Sequence, residues 1–171
     1  MSNTGGRRLA PLFIVLAVAC SYEMGSQMPD QLNFAIYEQS PDRVVDALTA
    51  ELVARNAFAS DLADDLEAGL VEAFAAGQET RFNSESVSLA QDELARLVPE
   101  EFRRFIGDEG GRYVLEFALE PAGDGGLRLT VTPTFIATVR GGEGPLGGRP
   151  LPSNGTLENS ILQSVSRRLG L

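Results

Sequence analysis

The run Tyr113-Val114-Leu115-Glu116-Phe117-Ala118-Leu119-Glu120, the turn Pro121-Ala122-Gly123-Asp124-Gly125-Gly126 and the run Leu127-Arg128-Leu129-Thr130-Val131-Thr132 together decide the fold. Tyr113, Leu115, Phe117 and Leu119 recur every second residue, and so do Leu127, Leu129 and Val131, continued by Phe135, Ala137 and Val139. A period of two places one set of side chains on one face of a strand. The opposite face of the second strand is Arg128, Thr130, Thr132, Thr134 and Thr138, so one side is predicted buried and the other wet. Pro133 lacks a backbone donor, which predicts an edge strand or a bulge there.

Outward from this hairpin the period changes. Residues 141–155 are rich in Gly and Pro and read as a loop; Thr156 to Leu169 then carry Leu157, Ile161, Val165 and Leu169 at helical spacing. On the other side a helix is predicted from about Asp92, interrupted by Pro99 and resuming through Phe102, Phe105 and Ile106. Residues 80–90 show no single period, although Phe82, Val87 and Leu89 suit a strand. Ser60 opens a helix with Asp61, Asp64 and Asp65 near its start, the apolar stripe Leu62, Leu66, Leu70 and Phe74, and Gly77 as its stop. Ser40-Pro41-Asp42 supplies an N-cap, a first-turn Pro and an acid for a helix with Val44, Val45, Leu48 and Leu52 on one face, ending near Asn56. Leu32, Phe34 and Ile36 alternate with Asn33, Ala35 and Tyr37 and predict a first strand. Helices around a mainly antiparallel sheet make a single α+β domain over residues 32–171, with no internal repeat.

The inventory of reactive side chains is short. The 171 residues contain 24 acidic and 14 basic side chains, every basic one Arg, with no His, no Lys and a single Cys, for a net charge of −10. Cys/His zinc sites, Ser–His or Cys–His nucleophile pairs and phosphate-loop lysines are therefore excluded. The acidity argues against nucleic acid as a partner. No catalytic residue, cofactor or metal site is expected. Gly142-Glu143-Gly144-Pro145-Leu146-Gly147 fits G-x-G-x-x-G literally, but Gly148-Arg149-Pro150-Leu151-Pro152 follows it and cannot open the helix that dinucleotide binding requires. Asp61, Asp64, Asp65 and Glu67 are explained by the positive end of a helix rather than by a cation. Asn154-Gly155-Thr156 matches a glycosylation sequon and equally a loop-to-helix cap. Arg103-Arg104 and Arg167-Arg168 are the basic pairs of the domain, placed to meet solvent, an anionic head group or a partner carboxylate.

The amino-terminus reads as an address. Arg7-Arg8 precede an uncharged stretch from Leu9 to Ala19, too short to span a bilayer, closing on Ala19 and Cys20. Leu16-Ala17-Val18-Ala19-Cys20 resembles the lipobox of bacterial lipoprotein precursors, although the Leu stands four rather than three positions before the Cys. The resemblance implies cleavage before Cys20, a diacylglyceryl group on its thiol and an acylated new amino-terminus; the alternative is an Ala-Val-Ala site for ordinary signal peptidase. The expected organisation is a signal peptide at 1–19, a lipidated tether at 20–31 and the domain at 32–171. Several acyl chains make attachment effectively permanent. Ser21, where inner-membrane retention would place Asp, implies the periplasmic face of the outer membrane; the inner membrane or the soluble periplasm are the alternatives.

Cys20-Ser21-Tyr22, Gly25, Met28-Pro29 and the strand from Leu32 to Tyr37 resemble the start of the lipopolysaccharide-assembly lipoprotein family. That resemblance implies a plug of the outer-membrane lipopolysaccharide translocon, with a charge of −12 for residues 20–171 and extra helical material at 60–106 as departures. The order strand–helix–hairpin–helix looks equally like the helix-grip modules of barrel-assembly lipoproteins. The function expected is a non-enzymatic envelope assembly or accessory subunit, with the membrane and an envelope protein as partners. An amphiphile or small-ligand binding module is the alternative.

Overall fold

The computed structural model describes residues 33–58, 68–72, 76–123, 126–138 and 148–171. At its centre are two eleven-residue strands, β4 (Gly111–Pro121) and β5 (Leu127–Ala137), paired antiparallel in continuous register from Gly111↔Ala137 to Pro121↔Leu127. The alternation that predicted this hairpin also sets its faces. Tyr113, Leu115, Phe117, Leu119, Leu127, Leu129, Val131, Phe135 and Ala137 are all buried. Arg112, Glu116, Thr132 and Thr134 face outward and are exposed.

Short strands flank this pair end to end. β1 (Phe34–Tyr37) and β6 (Arg149–Leu151) both pair with β5; β2 (Thr80–Asn83) and β3 (Val87–Leu89) both pair with β4. All pairings are antiparallel, which makes a six-stranded sheet of an α+β fold. Residues 80–90 are thus two strands, and the break explains their lack of a single period. Ser84 fills it: its N–H donates to Leu115 O at 2.8 Å, and its hydroxyl oxygen accepts from Leu115 N at 2.9 Å. Residues 149–151, expected within a loop, form β6 instead; register on Phe135 to Ala137 orders a segment too short and too Pro-rich to show a pattern.

Pro133 is accommodated without a bulge, because the β4–β5 register runs through it unbroken. Val131 N–H points toward β1, donating to Asn33 O at 2.8 Å. Donors alternate between the two edges of a strand, so the missing donor of Pro133 faces that same side. Among the described residues no strand pairs there, since β1 meets Leu127 to Thr130 and β6 meets Phe135 to Ala137. Pro133 occupies a local edge inside an otherwise central strand.

Helices cover the other face. α1 (Pro41–Ala54) buries Val44, Val45, Leu48 and Leu52, as its period predicted. Ser40 stands at its N-cap, but its hydroxyl turns to Asp42, whose carboxyl it holds below the usual range. Asn56 ends it in the left-handed region, with Ala57 N bonded to Leu52 O at 2.9 Å. Of the second predicted helix, residues 68–72 are helical, Leu70 is buried and Gly77 has φ of +69°; Ser60 to Glu67 and Phe74 lie outside the described residues. α2 (Gln91–Leu97) stops before Pro99, and a 3-10 turn over Glu100–Phe105 follows, which Ile106 leaves in an extended conformation. α3 (Thr156–Leu169) has the predicted bounds and buries Leu157, Ile161, Val165 and Leu169.

Tyr37, Phe117, Phe135, Leu48, Leu52, Leu115, Leu127, Leu129 and Ile161 fill the interval between sheet and helices, each less than 2% exposed or nearly so. Burying a side chain of this size contributes roughly 1.5–3 kcal/mol. The face of β1 is a correction to the sequence reading. Ile36 is 56% exposed, whereas Tyr37 is 2% exposed and donates its hydroxyl to Leu162 O of α3 at 3.1 Å. A phenol with a carbonyl to meet is buried more readily than its hydropathy suggests.

Candidate functional site

Sequence reasoning singled out Cys20, the acids Asp61, Asp64, Asp65 and Glu67, and the glycine-rich 142–147; all lie outside the described residues. The sequon residues serve the fold. Asn154 Oδ1 accepts from Thr156 N at 3.0 Å, its Nδ2 donates to Arg96 O at 2.8 Å, and its backbone N–H reaches Leu97 O at 3.0 Å. This side chain ties the end of α2 to the start of α3 and leaves its amide committed.

The two Arg pairs have different fates. In the last turn of α3, Arg167 donates to Ser164 Oγ at 2.9 Å and Arg168 reaches Glu51 Oε2 at 3.3 Å. Glu51 is 7% exposed and also accepts from Arg55 Nε at 2.7 Å, while Arg55 Nη2 donates to Ser160 Oγ at 2.9 Å. One buried carboxylate between two guanidiniums thus joins α1 to α3. Removing either sign from such a group strands the other, which is why it stabilises only as a unit.

Arg104 belongs to a different arrangement, at the end of the sheet where β4 begins and β5 ends. The 3-10 turn delivers Arg104 and Phe105, and the chain then turns through Ile106, Gly107, Asp108 and Glu109 into β4. With Thr138 these residues line a cleft of about 260 Å³. Gly110 makes the turn possible: its φ is +67°, and a Cβ there would come within 2.1 Å of Leu89 O. Gly110 N bonds Gly107 O, and Gly110 O accepts from Thr138 N, both at 3.0 Å, so the cleft is built on a fixed backbone.

Two cations meet one ring there. The Arg104 guanidinium carbon lies 4.8 Å from the Phe105 centroid, and that of Arg149, presented by β6, lies 3.6 Å from it. Among the described residues neither pairs with a carboxylate, whereas Arg55, Arg81, Arg96, Arg128 and Arg168 all do. Asp108 and Glu109 share the cleft and likewise make no ion pair among the described residues. Arg104 and Asp108 are four apart, the spacing that pairs charges on a helix. The helical turn ends at Phe105, and the extended Ile106 carries them apart. The basic pair Arg103-Arg104 was the visible signal for this site; the contribution of Arg149 depends on β6 and had none.

A second concavity, about 500 Å³, runs between β1 and α3 and is lined by Phe34, Ala35, Leu162 and Leu171 together with Asn159, Gln163, Ser166 and Arg167. Burial raises the phenols of Tyr37 and Tyr113 above the ordinary tyrosine value, the effect being opposed by Ser166 at the first and by the charge of Arg55 at the second. Among the described residues no group of three or more Asp, Glu, Cys or His converges as a metal cage, and none of the helices is long and apolar enough to cross a membrane. No family model, curated protein or solved structure matches the chain.

Proposed function

We propose that this chain is a non-enzymatic lipoprotein, acylated at Cys20, held at the periplasmic face of the outer membrane and acting as an assembly or accessory subunit of the envelope. The observation that carries this reading is the sequence from Arg7 to Cys20, a basic start and an apolar run closing on the chain's one thiol. The shape of the domain is compatible with it. β1 runs antiparallel to β5, so the amino-terminal end of β1 is directed toward the end of the sheet where β5 finishes. The thirteen peptide steps from Cys20 to Asn33 span about 45 Å at full extension, which would keep the domain within that reach of the bilayer.

The experiment is the mass of the amino-terminal peptide from membranes, read together with the fractionation of Cys20→Ala. The reading expects an acylated Cys20 and loss of outer-membrane attachment in the variant; a bare thiol, or unchanged attachment, overturns it. A plug of the lipopolysaccharide translocon and a barrel-assembly module are narrower forms of the same proposal, and cross-linked capture of the acylated protein with a named translocon or barrel-assembly component would separate them.

A second reading rests on the groove between β1 and α3. Phe34, Ala35, Leu162 and Leu171 beside Arg167 offer an apolar wall next to a cation, suited to an amphiphile with an acidic head. Saturable binding of a fluorescent fatty acid, weakened in Leu162→Glu, supports this reading, and no binding at micromolar concentration removes it.

A further inference from the structure

We infer that the cleft at the end of the sheet takes the head group of a zwitterionic aminophospholipid, with the phosphate on Arg104 and Arg149 and the ammonium on Asp108 and Glu109. This rests on the anchored reading above and deepens it, because it states how the domain meets the surface to which Cys20 would fasten it.

The carrying observation is that Arg104, Asp108 and Glu109 line one cleft, with Arg149 stacked on the Phe105 ring of its wall, and that among the described residues these charges form no ion pair with one another. In the same molecule five arginines find carboxylates. At the cleft the turn through Ile106 and Gly107 separates Arg104 from Asp108, and the Phe105 ring holds both guanidiniums. Holding them over a ring removes part of the ordering cost that a flexible Arg incurs on binding. A guanidinium presents paired N–H donors that match phosphate oxygens, and a carboxylate accepts from a primary ammonium. The ligand that satisfies both halves carries an anion and an N–H-bearing cation a few bonds apart.

Charge selects among surfaces. A purely anionic bilayer would oppose Asp108, Glu109 and a domain of net negative charge. A head group with a quaternary ammonium supplies charge but no N–H for the carboxylates. Phosphatidylethanolamine supplies the phosphate, the charge and the donors. The cleft lies at the end of the sheet toward which the start of β1 is directed.

The test uses the processed protein in lipid nanodiscs of phosphatidylcholine alone, or with phosphatidylethanolamine or phosphatidylglycerol added, read by hydrogen exchange of the amides at 105–110 and 149–151. Protection is expected to be at least about fivefold greater with phosphatidylethanolamine than with either other lipid, the factor expected of a charge-assisted hydrogen bond. Arg104→Gln/Arg149→Gln and Asp108→Asn/Glu109→Gln, each melting with the parent, should both abolish that difference. Equal protection in all discs, greater protection with phosphatidylglycerol, or a preference that survives both double variants overturns the inference. The amino-terminal peptide is weighed in the same preparation. A bare Cys20 ends the anchored reading, and the head-group preference is then decided by flotation of the unanchored chain with vesicles of the same three compositions.

Discussion

Arginine appears in two settings in this molecule, and the contrast separates construction from availability. Between α1 and α3, Arg55 and Arg168 close on Glu51, a carboxylate 7% exposed, and their donors are used within the protein. At the end of the sheet, Arg104 and Arg149 lie over Phe105 and among the described residues pair with no carboxylate, although Asp108 and Glu109 line the same cleft as Arg104. In the first setting helical spacing and a packed interface bring opposite charges together. In the second a broken helical turn keeps them apart. The same side chain is a fastener where a packed interface supplies a carboxylate and an exposed cation stacked on a ring where none is brought to it.

The contrast can be broken most severely at its backbone. Gly110→Ala places a Cβ against Leu89 O in a left-handed conformation, and the expected loss is about 3 kcal/mol or more. Urea unfolding measures it; a loss below about 1 kcal/mol would mean that the cleft is not rigidly based. Glu51→Ala removes the carboxylate that joins the helices and leaves two guanidiniums facing each other. About 2 kcal/mol should disappear from the same measurement, discounted from a fully buried pair because Arg168 is 41% exposed.

A smaller effect sharpens the comparison through pH. Burial raises the phenols of Tyr37 and Tyr113, so folding favours their neutral forms. Their contribution to stability is complete below the unfolded value near 10.0 and is lost as pH rises through the higher folded values. Unfolding midpoints should therefore fall between pH 10 and 11 more than between pH 8 and 9, with delayed ionisation visible at 295 nm; Tyr37→Phe should blunt the fall. The smallest effect belongs to the open setting. Arg104→Ala should change stability by less than about 1 kcal/mol, since only a contact with a ring is removed. If it costs as much as Glu51→Ala, the two settings are not different in kind.

Much of this architecture was legible in the residues. The β4–β5 hairpin and α3 were readable almost to the residue, because both are long and each keeps one period throughout. β1 is four residues long, and its phase was misread because Ile36 outranks Tyr37 in hydropathy. The hydroxyl partner that buries Tyr37 lies 125 residues away, beyond any local window. β6 is three residues including a Pro, and only its register on β5 defines it. The cleft was half legible for the same reason. Arg103-Arg104 stood out as a basic pair, whereas Arg149 reaches Phe105 only after β6 has formed. The thiol on which the proposed anchorage depends lies outside the described residues.

Pro133 has a consequence of a different kind. β5 meets two short partners in tandem, and between them its outward edge would offer an amide to any foreign segment, were the residue there not an imino acid. With that donor missing, an invading chain cannot continue a ladder across the gap. The molecule thereby carries a safeguard against edge-to-edge polymerisation at the place where one of its two longest strands is left uncovered among the described residues.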